Sequence, residues 1–246
     1  MTNCLVVQHL AVESAFAVED ALIGAGVVVE TRRVFAGELV PADASGLDAL
    51  VVMGGPMSAA SDEGFPSRSG EITLLADALR VGIPTVGVCL GAQLLAAAAG
   101  SEVFPGAGGP EIGWGPVTLT PECAEDQLFT GLDEELTVLH WHGDSFDLPV
   151  GGLRLAGNAN YPNQAFRIGS LAWGLQFHLE VTQAALEGFV STFATDAASV
   201  PGGAEGILKA TPPALAGLTV IRDLVFERFA DLVVTHARER ELVDQG

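Results

Sequence analysis

Residues 85–100 constrain the fold of this chain more than any other segment. The segment reads TVGVCLGAQLLAAAAG, in which a short β-branched run leads into Gly-x-Cys-x-Gly and strong helix formers follow. This order predicts a buried strand, a sharp turn that carries Cys89, and then a helix. A helix N-terminus favours a thiolate over a thiol, so we interpret Cys89 as a candidate nucleophile. The alternative is a buried structural cysteine.

The composition excludes several classes of protein. The net charge of −20 over 246 residues argues against a nucleic-acid partner, which needs a basic surface. No apolar run approaches the roughly 20 residues of a membrane helix, and the N-terminal stretch lacks the basic region of a signal peptide. We therefore expect no membrane association. The 3 cysteines do not suggest a disulfide framework, which favours a reduced, cytoplasmic protein.

The first hundred residues alternate predicted strands with predicted helices. The strands are expected at 4–8, 27–34, 49–53 and 85–88, and the helices at 14–24, 71–80 and 90–99. This alternation predicts an α/β fold with a mainly parallel open sheet and helices on both faces. Sites in such sheets form at the carboxyl ends of strands, where Gly54, Gly55 and Cys89 all lie.

The rest of the chain has a different pattern, with short strands and many turns before a helical end. Strands are expected at 117–120, 137–140, 153–156, 164–168 and 171–178, then a helix from Thr182 to about residue 193, a loop at 199–206 and a long helix within 213–241. An apolar stripe on that long helix predicts a face packed on the domain. It consists of Leu218, Ile221, Val225, Phe229 and Leu232. We thus expect one domain over 1–190 and a helical C-terminal extension over 191–246 that packs on it.

A histidine and a glutamate follow the predicted strand that ends near residue 178. His178 and Glu180 are two residues apart, so in an extended segment their side chains point to the same side. The carboxylate can then accept a hydrogen bond from one imidazole nitrogen and leave the other facing a thiol. By itself this pair is more typical of a surface strand end, and it indicates a catalytic pair only together with Cys89.

Three motifs together resemble the class I, triad-type glutamine amidotransferase domains. Residues 87–93 (GVCLGAQ) resemble the nucleophile turn, 176–180 (QFHLE) the histidine–glutamate motif and 53–58 (MGGPMS) the glycine-rich loop. Residues 140–145 (HWHGDS) and 111–114 (EIGW) resemble the stand-alone members that are similar to the amidotransferase domain of GMP synthase. The resemblance implies a flavodoxin-like fold and a catalytic triad of cysteine, histidine and glutamate.

The resemblance also implies roles for individual residues. Cys89, His178 and Glu180 would form the triad. The backbone N–H groups of Gly55 and Leu90 would bind the oxyanion. Substrate contacts would come from Gly54, Gln93, His142, Gly143 and Asp144. For Gln93 the alternative is a polar residue that fills space beneath the turn, and for His142 and Asp144 it is stabilisation of a loop.

One departure from the family pattern and one alternative interpretation, a metal site, concern these residues. Leu179 stands where the family usually has proline, and because leucine keeps an extended backbone accessible we expect the triad to remain intact. His140, His142 and Asp144 alternate as metal ligands would, but Gly143 indicates a turn between them. The sequence therefore predicts neither a metal nor a cofactor.

Three functions are compatible with these residues. The first is hydrolysis of glutamine to glutamate and ammonia through a γ-glutamyl thioester on Cys89. The sequence shows no synthetase domain or Gly-rich phosphate loop with lysine, so the ammonia would pass to a separate, unidentified synthetase. The second is a stand-alone γ-glutamyl hydrolase or peptidase that acts on a γ-glutamyl small molecule. The third is a catalytically idle binding or regulatory module, against which the intact Cys, His and Glu argue.

Overall fold

The computed structural model describes residues 1–244, and its architecture confirms the predicted α/β class. The strands are β1 Asn3–Gln8, β2 Val28–Arg33, β3 Ala49–Val52, β4 Thr85–Val88, β5 Val103–Pro105, β6 Glu111–Leu119, β7 Glu135–His142, β8 Asp144–Phe146, β9 Leu153–Gly157, β10 Ala165–Ile168 and β11 Ala172–Leu175. The α-helices are α1 Ala17–Gly24, α2 Arg68–Val81, α3 Leu90–Ala98, α4 Gln183–Thr192, α5 Ala194–Ala198 and α6 Gly203–Asp244. Short 3₁₀ helices cover Val34–Ala36 and Pro121–Glu125.

Within the described residues, nine strands form one sheet in the order β2-β1-β3-β4-β11-β10-β9-β6-β7. Neighbours from β2 to β11 pair in parallel, and those from β11 to β7 pair antiparallel. β5 and β8 form a separate antiparallel ribbon. The carboxyl ends of β1, β3, β4 and β11 therefore lie side by side, which is where a parallel sheet forms its site.

Both faces of the sheet are covered by helices. Along β1, Cys4 and Val6 belong to one apolar cluster, whereas Leu5 and Val7 belong to another. The first cluster includes residues of α1, α4 and α6, and the second includes residues of α2 and α3. This alternation follows from the two-residue period of a strand, and it explains why β1 has no polar face.

Several predicted strands have different ends in the structure. The prediction over 171–178 is wrong beyond β11, because residues after Leu175 leave the parallel ladder and His178 instead bridges Leu139 of β7. The prediction over 117–120 is too short, since β6 begins at Glu111. The glycines and the proline within β6 weaken the strand signal of its sequence. The short strands β5 and β8 were not predicted.

The predicted loop over 199–206 is wrong from residue 203, where α6 begins. The helix continues through Pro212 and Pro213, although a proline lacks the N–H that an interior helical position donates. The sequence pattern treats such a proline as a helix start, so the prediction began the helix at 213. Tertiary packing holds the turns before the prolines, where Ile207 is buried in the core.

The long helix α6 packs against α1, α4, α5, β6 and β7. The predicted packing of its apolar stripe is thereby confirmed for Leu218, Val225 and Phe229, which are buried. The division of the chain into 1–190 and 191–246 stays a prediction. Among the described residues, no helix combines the length and the apolar character required to cross a bilayer.

Gly91 allows α3 to lie directly on β3, because a methyl group there would overlap the Val52 carbonyl oxygen. We expect Gly91→Ala to lower the free energy of unfolding by about 1–3 kcal/mol, the cost of overpacking a tight contact. Gly217 in α6 provides the matched control, since a methyl group there meets open space. Gly217→Ala should raise stability by up to about 1 kcal/mol, because alanine is the better helix former. Equal stability of the two variants in urea unfolding would contradict this prediction.

Candidate active site

Cys89 occupies a strained turn between β4 and α3. Its φ of +52° is a left-handed conformation that residues other than glycine rarely adopt. The Cys89 N–H donates to the Leu175 carbonyl at 2.7 Å, and its Sγ lies 3.5 Å from the Trp141 carbonyl oxygen. A methyl group at Gly87 would overlap the Gly91 carbonyl, so the turn depends on both glycines. The predicted strand–turn–helix around Cys89 is therefore present.

His178 and Glu180 form a buried pair next to this turn. His178 Nδ1 lies 2.7 Å from Glu180 Oε1, and both side chains are 1% exposed. His178 Nε2 is buried and has no hydrogen-bond partner among the described residues. Burial opposes a charged imidazole, but the Glu180 carboxylate and the Cys89 side chain outweigh it and raise the pKa of His178 well above its ordinary value. Leu179 is fully buried and does not disturb the pair.

Cys89 and His178 line one cavity of about 330 Å³. Of the predicted substrate and oxyanion residues, the cavity lining includes Gly55, Gln93, His142, Gly143 and Asp144. Gly54 and Leu90 are not among the lining side chains, although each adjoins a residue that is. The structure thus brings most of the predicted residues to one cavity, in which Gly55, Cys89 and His178 come from the carboxyl ends of parallel strands and His142 to Asp144 from the turn between β7 and β8.

The polar groups of the predicted substrate contacts already have partners. Gln93 Nε2 donates to Gln176 Oε1 at 3.1 Å, and His142 Nδ1 lies 3.1 Å from the Asp144 carbonyl oxygen. The Asp144 carboxylate accepts a hydrogen bond from Ser58 at 2.6 Å. These contacts fit the loop-stabilising alternative, and the substrate contacts stay predictions.

The loop after β3 and the first residue of α3 each contribute one backbone N–H group near this region. Gly55 lies between two side chains, since a methyl group there would be 2.7 Å from His9 Cβ and 2.9 Å from Leu90 Cδ2. Within the described part of the chain, neither the Gly55 N–H nor the Leu90 N–H donates to a protein acceptor. The role of these two N–H groups as oxyanion donors stays a prediction.

Glu13 is a cavity residue that the sequence reasoning missed. Its side chain approaches Gly54, where a methyl group would overlap Glu13 Oε2, and the residue is 4% exposed. Burial raises the pKa of Glu13 to about 7, against the attraction of His178. The signal that could have found it is its position shortly after β1, whose carboxyl end adjoins that of β3.

The carboxylate that the structure groups with the His140 and His142 imidazoles is that of Glu111 and not that of Asp144. The ligand atoms of these three residues lie within 4.8 Å of one another. Burial would raise the pKa of Glu111, but hydrogen bonds from His142 and from Asn160 and Asn158 lower it to about 2. Burial also lowers the pKa of His140 to about 4. The Glu111 carboxylate is thus saturated by amide and imidazole donors.

Apart from the histidines, the ionisable side chains on the described lining of the cavity are acidic. Glu13, Asp144 and Asp196 contribute carboxyl groups, and no lysine or arginine contributes to it. A ligand with an ammonium group would therefore find complementary charge there.

A protein-family model and several curated proteins match this chain. The family model for class-I glutamine amidotransferases matches residues 15–192. The glutamine amidotransferase-like protein YfeJ of Salmonella typhimurium is 34% identical over 200 residues, which cover 80% of this chain and 83% of that protein. A GMP synthase of Porphyromonas gingivalis is 38% identical over 144 residues, which are 58% of this chain but only 26% of that enzyme.

Solved structures show the same fold. A glutamine amidotransferase from Thermotoga maritima superposes with a TM-score of 0.83 at 27% identity, covering 94% of this chain and 98% of the other. A glutamine amidotransferase from Methylobacillus flagellatus gives a TM-score of 0.84 at 28% identity, covering 94% and 95% of the two chains.

The raised pKa of Glu13 predicts a pH dependence of stability. The folded protein holds this proton up to a pH of about 7, whereas the ordinary pKa is 4.5. Stability from this group is present at low pH and is lost as the pH rises through that window. Between pH 4.5 and pH 8 we expect the free energy of unfolding to fall by about 3 kcal/mol more in the parent protein than in Glu13→Gln. Urea unfolding at several pH values measures the difference, with the exposed Glu63→Gln as the control; parallel curves for parent and Glu13→Gln would refute it.

The three free cysteines should differ in reactivity. Burial raises the pKa of Cys123 to about 11 and that of Cys4 well above its ordinary range, so neither forms thiolate near neutral pH. Cys89 lies in the cavity beside an imidazole. We expect iodoacetamide to label Cys89 first, by at least about tenfold in rate. Peptide mapping by mass spectrometry identifies the site, and early labelling of Cys4 or Cys123 would rule the prediction out.

Proposed function

Because the chain belongs to the class-I glutamine amidotransferase family, we propose that it hydrolyses the side-chain amide of glutamine to glutamate and ammonia. One observation carries this proposal. Glu180 orients the His178 imidazole at 2.7 Å, and the unpartnered Nε2 belongs to the same cavity as the Cys89 thiol. A thiol, an oriented base and a buried carboxylate are the groups that acyl transfer requires.

The proposed reaction has two halves. His178 Nε2 accepts the thiol proton as Cys89 Sγ bonds to the amide carbon of glutamine. The carbon–nitrogen bond then breaks, the same proton passes to the leaving nitrogen, and ammonia departs. Water attacks the resulting γ-glutamyl thioester, gives one proton to His178 and releases glutamate, after which the proton returns to sulfur. The raised pKa of His178 supports these steps, because an imidazolium stabilises the adjacent thiolate.

The tetrahedral intermediates carry a negative oxygen that needs preorganised donors. We assign this role to the backbone N–H groups of Gly55 and Leu90, which have no acceptor among the described residues. Leu90 is the first residue of α3, so its N–H also lies at the positive end of the helix dipole. Removal of one such donor costs roughly 10²–10³ in kcat in other enzymes.

The substrate ammonium would bind on the acidic side of the cavity. Asp144 and Gly143 were expected there from the sequence, and the structure adds Glu13 as a second carboxyl group. Gln93, His142 and Gly54 complete the proposed substrate site, the first two through the loops they hydrogen bond.

We further propose that the ammonia passes to an acceptor enzyme. Residues 1–246 contain no Gly-rich phosphate loop with lysine that would activate an acceptor. The GMP synthase relative is named as glutamine-hydrolysing, and this chain spans about a quarter of it. The acceptor here is not identified, and no cofactor enters the proposed chemistry.

The purified chain should release ammonia and glutamate from glutamine in equal amounts. Cys89→Ala should reduce this activity at least about 10³-fold, because it removes the nucleophile. Cys123→Ala is the matched control, since Cys123 is also buried but lies outside the cavity. Both products can be followed by coupled assays, with γ-glutamyl peptides as a second set of substrates.

Turnover of the peptides in strong preference to glutamine would replace the ammonia-producing function with a stand-alone γ-glutamyl hydrolase. If neither substrate reacts, labelling by 6-diazo-5-oxo-norleucine, a glutamine analogue with a diazoketone, tests the site without a partner. Failure of that analogue to label Cys89 would overturn the proposed function.

A further inference from the structure

We infer that His9 and Glu71 form a buried pair whose task is to position the Gly54–Gly55 peptide as an oxyanion donor. The inference rests on the proposed function. Neither residue is among those that line the cavity, so both would act through the backbone of the loop after β3. They are positioning residues in this scheme.

The pair is buried and in close contact. His9 Nε2 lies 2.6 Å from Glu71 Oε2, and both side chains are 0% exposed. His9 Nδ1 lies 3.1 Å from the Gly54 carbonyl oxygen. The ring of Phe65 packs edge-on against the imidazole, with centroids 5.7 Å apart, so the imidazole has little freedom to rotate.

The protons of this pair can be assigned from its partners. The Gly54 carbonyl can only accept a hydrogen bond, so His9 Nδ1 must carry a proton and donate it. A proton also lies between His9 Nε2 and Glu71, because two lone pairs would repel each other at 2.6 Å. Glu71 therefore holds His9 in the form that donates from Nδ1, as a buried carboxylate does for other functional histidines.

The hydrogen bond to Gly54 sets the direction of the next N–H. The described chain has no cis peptide bond, and in a planar trans peptide the N–H points opposite to the C=O. Since the Gly54 carbonyl is directed at His9, the Gly55 N–H is directed away from it. Gly55 itself lies between His9 and Leu90, where a Cβ atom would not fit.

A glycine-rich loop needs such an anchor. Gly54 and Gly55 must lack Cβ atoms, since methyl groups there would meet Glu13 and His9. Glycine also gives the backbone more freedom than any other residue, and an oxyanion donor that rotates loses its preorganisation. The His9–Glu71 pair supplies the conformational constraint that the glycines cannot.

The test replaces the pair without leaving a lone buried charge. The double variant His9→Leu, Glu71→Leu removes both partners, which proteins tolerate better than the loss of one. Glu71→Gln is the conservative variant, because its amide can donate to His9 Nε2 and preserve the Nδ1 proton. His236→Leu, in α6 and outside the cavity, controls for the loss of a histidine.

Two labelling rates of Cys89 distinguish a role of the pair in positioning the oxyanion donor from a merely structural role. The carbonyl of 6-diazo-5-oxo-norleucine occupies the place of the amide carbonyl and uses the oxyanion donors, whereas iodoacetamide reacts by direct displacement without them. In the double variant we expect the rate of labelling by 6-diazo-5-oxo-norleucine and the kcat for glutamine each to fall at least about tenfold. The rate of labelling by iodoacetamide should stay within about threefold of the parent's. Glu71→Gln and His236→Leu should stay within about threefold of the parent in both rates.

The inference would be overturned if both labelling rates of the double variant equalled those of the parent. It would also be overturned if both rates fell by the same factor, which indicates a merely structural role. A failure of the inference is distinguishable from a failure of the proposed function. In the first case the parent protein is labelled by the glutamine analogue, and in the second it is not.

Discussion

The contact between the backbone of α3 and that of β3 is the constraint on which the rest of the site depends. Gly91 lies against the Val52 carbonyl, and Gly87 lies against Gly91, with no space for a Cβ atom at either glycine. The connection from β4 to α3 is consequently tight, and Cys89 is held at a φ of +52°. Close packing of helix on sheet, and not any property of the thiol, thus determines where the sulfur lies.

Buried histidine–carboxylate pairs surround this turn. In the described part of the chain, three of these pairs are hydrogen bonded: His9–Glu71, His142–Glu111 and His178–Glu180. The second ring nitrogen of His9 contacts the Gly54 carbonyl, and that of His142 contacts the Asp144 carbonyl. Of these three histidines, His178 alone has a ring nitrogen without a partner. Two pairs therefore hold backbone loops, and one leaves a base available for chemistry.

Much of the fold could be predicted from the sequence, because the early strands and helices have strong local periodicity. β1, β3 and β4 begin and end within one residue of their predicted positions. The predictions failed where tertiary contacts override local signals. Pro212 and Pro213 lie inside α6, since packing of the helix outweighs their local cost. Gly113 and Pro116 lie within β6, where pairing with β7 holds the strand.

The strand–turn–helix at Cys89 and the His178–Glu180 pair follow from local sequence, because each is a short segment whose geometry depends on neighbouring residues. The meeting of these segments in one cavity with Glu13, and the contact of His9 and Glu71 with the loop after β3, depend instead on the tertiary fold. Those residues come from separate elements, and local periodicity carries no information on which strands become neighbours. The order of strands in the sheet brings their carboxyl ends together, and burial then sets the charges of the side chains that lie there.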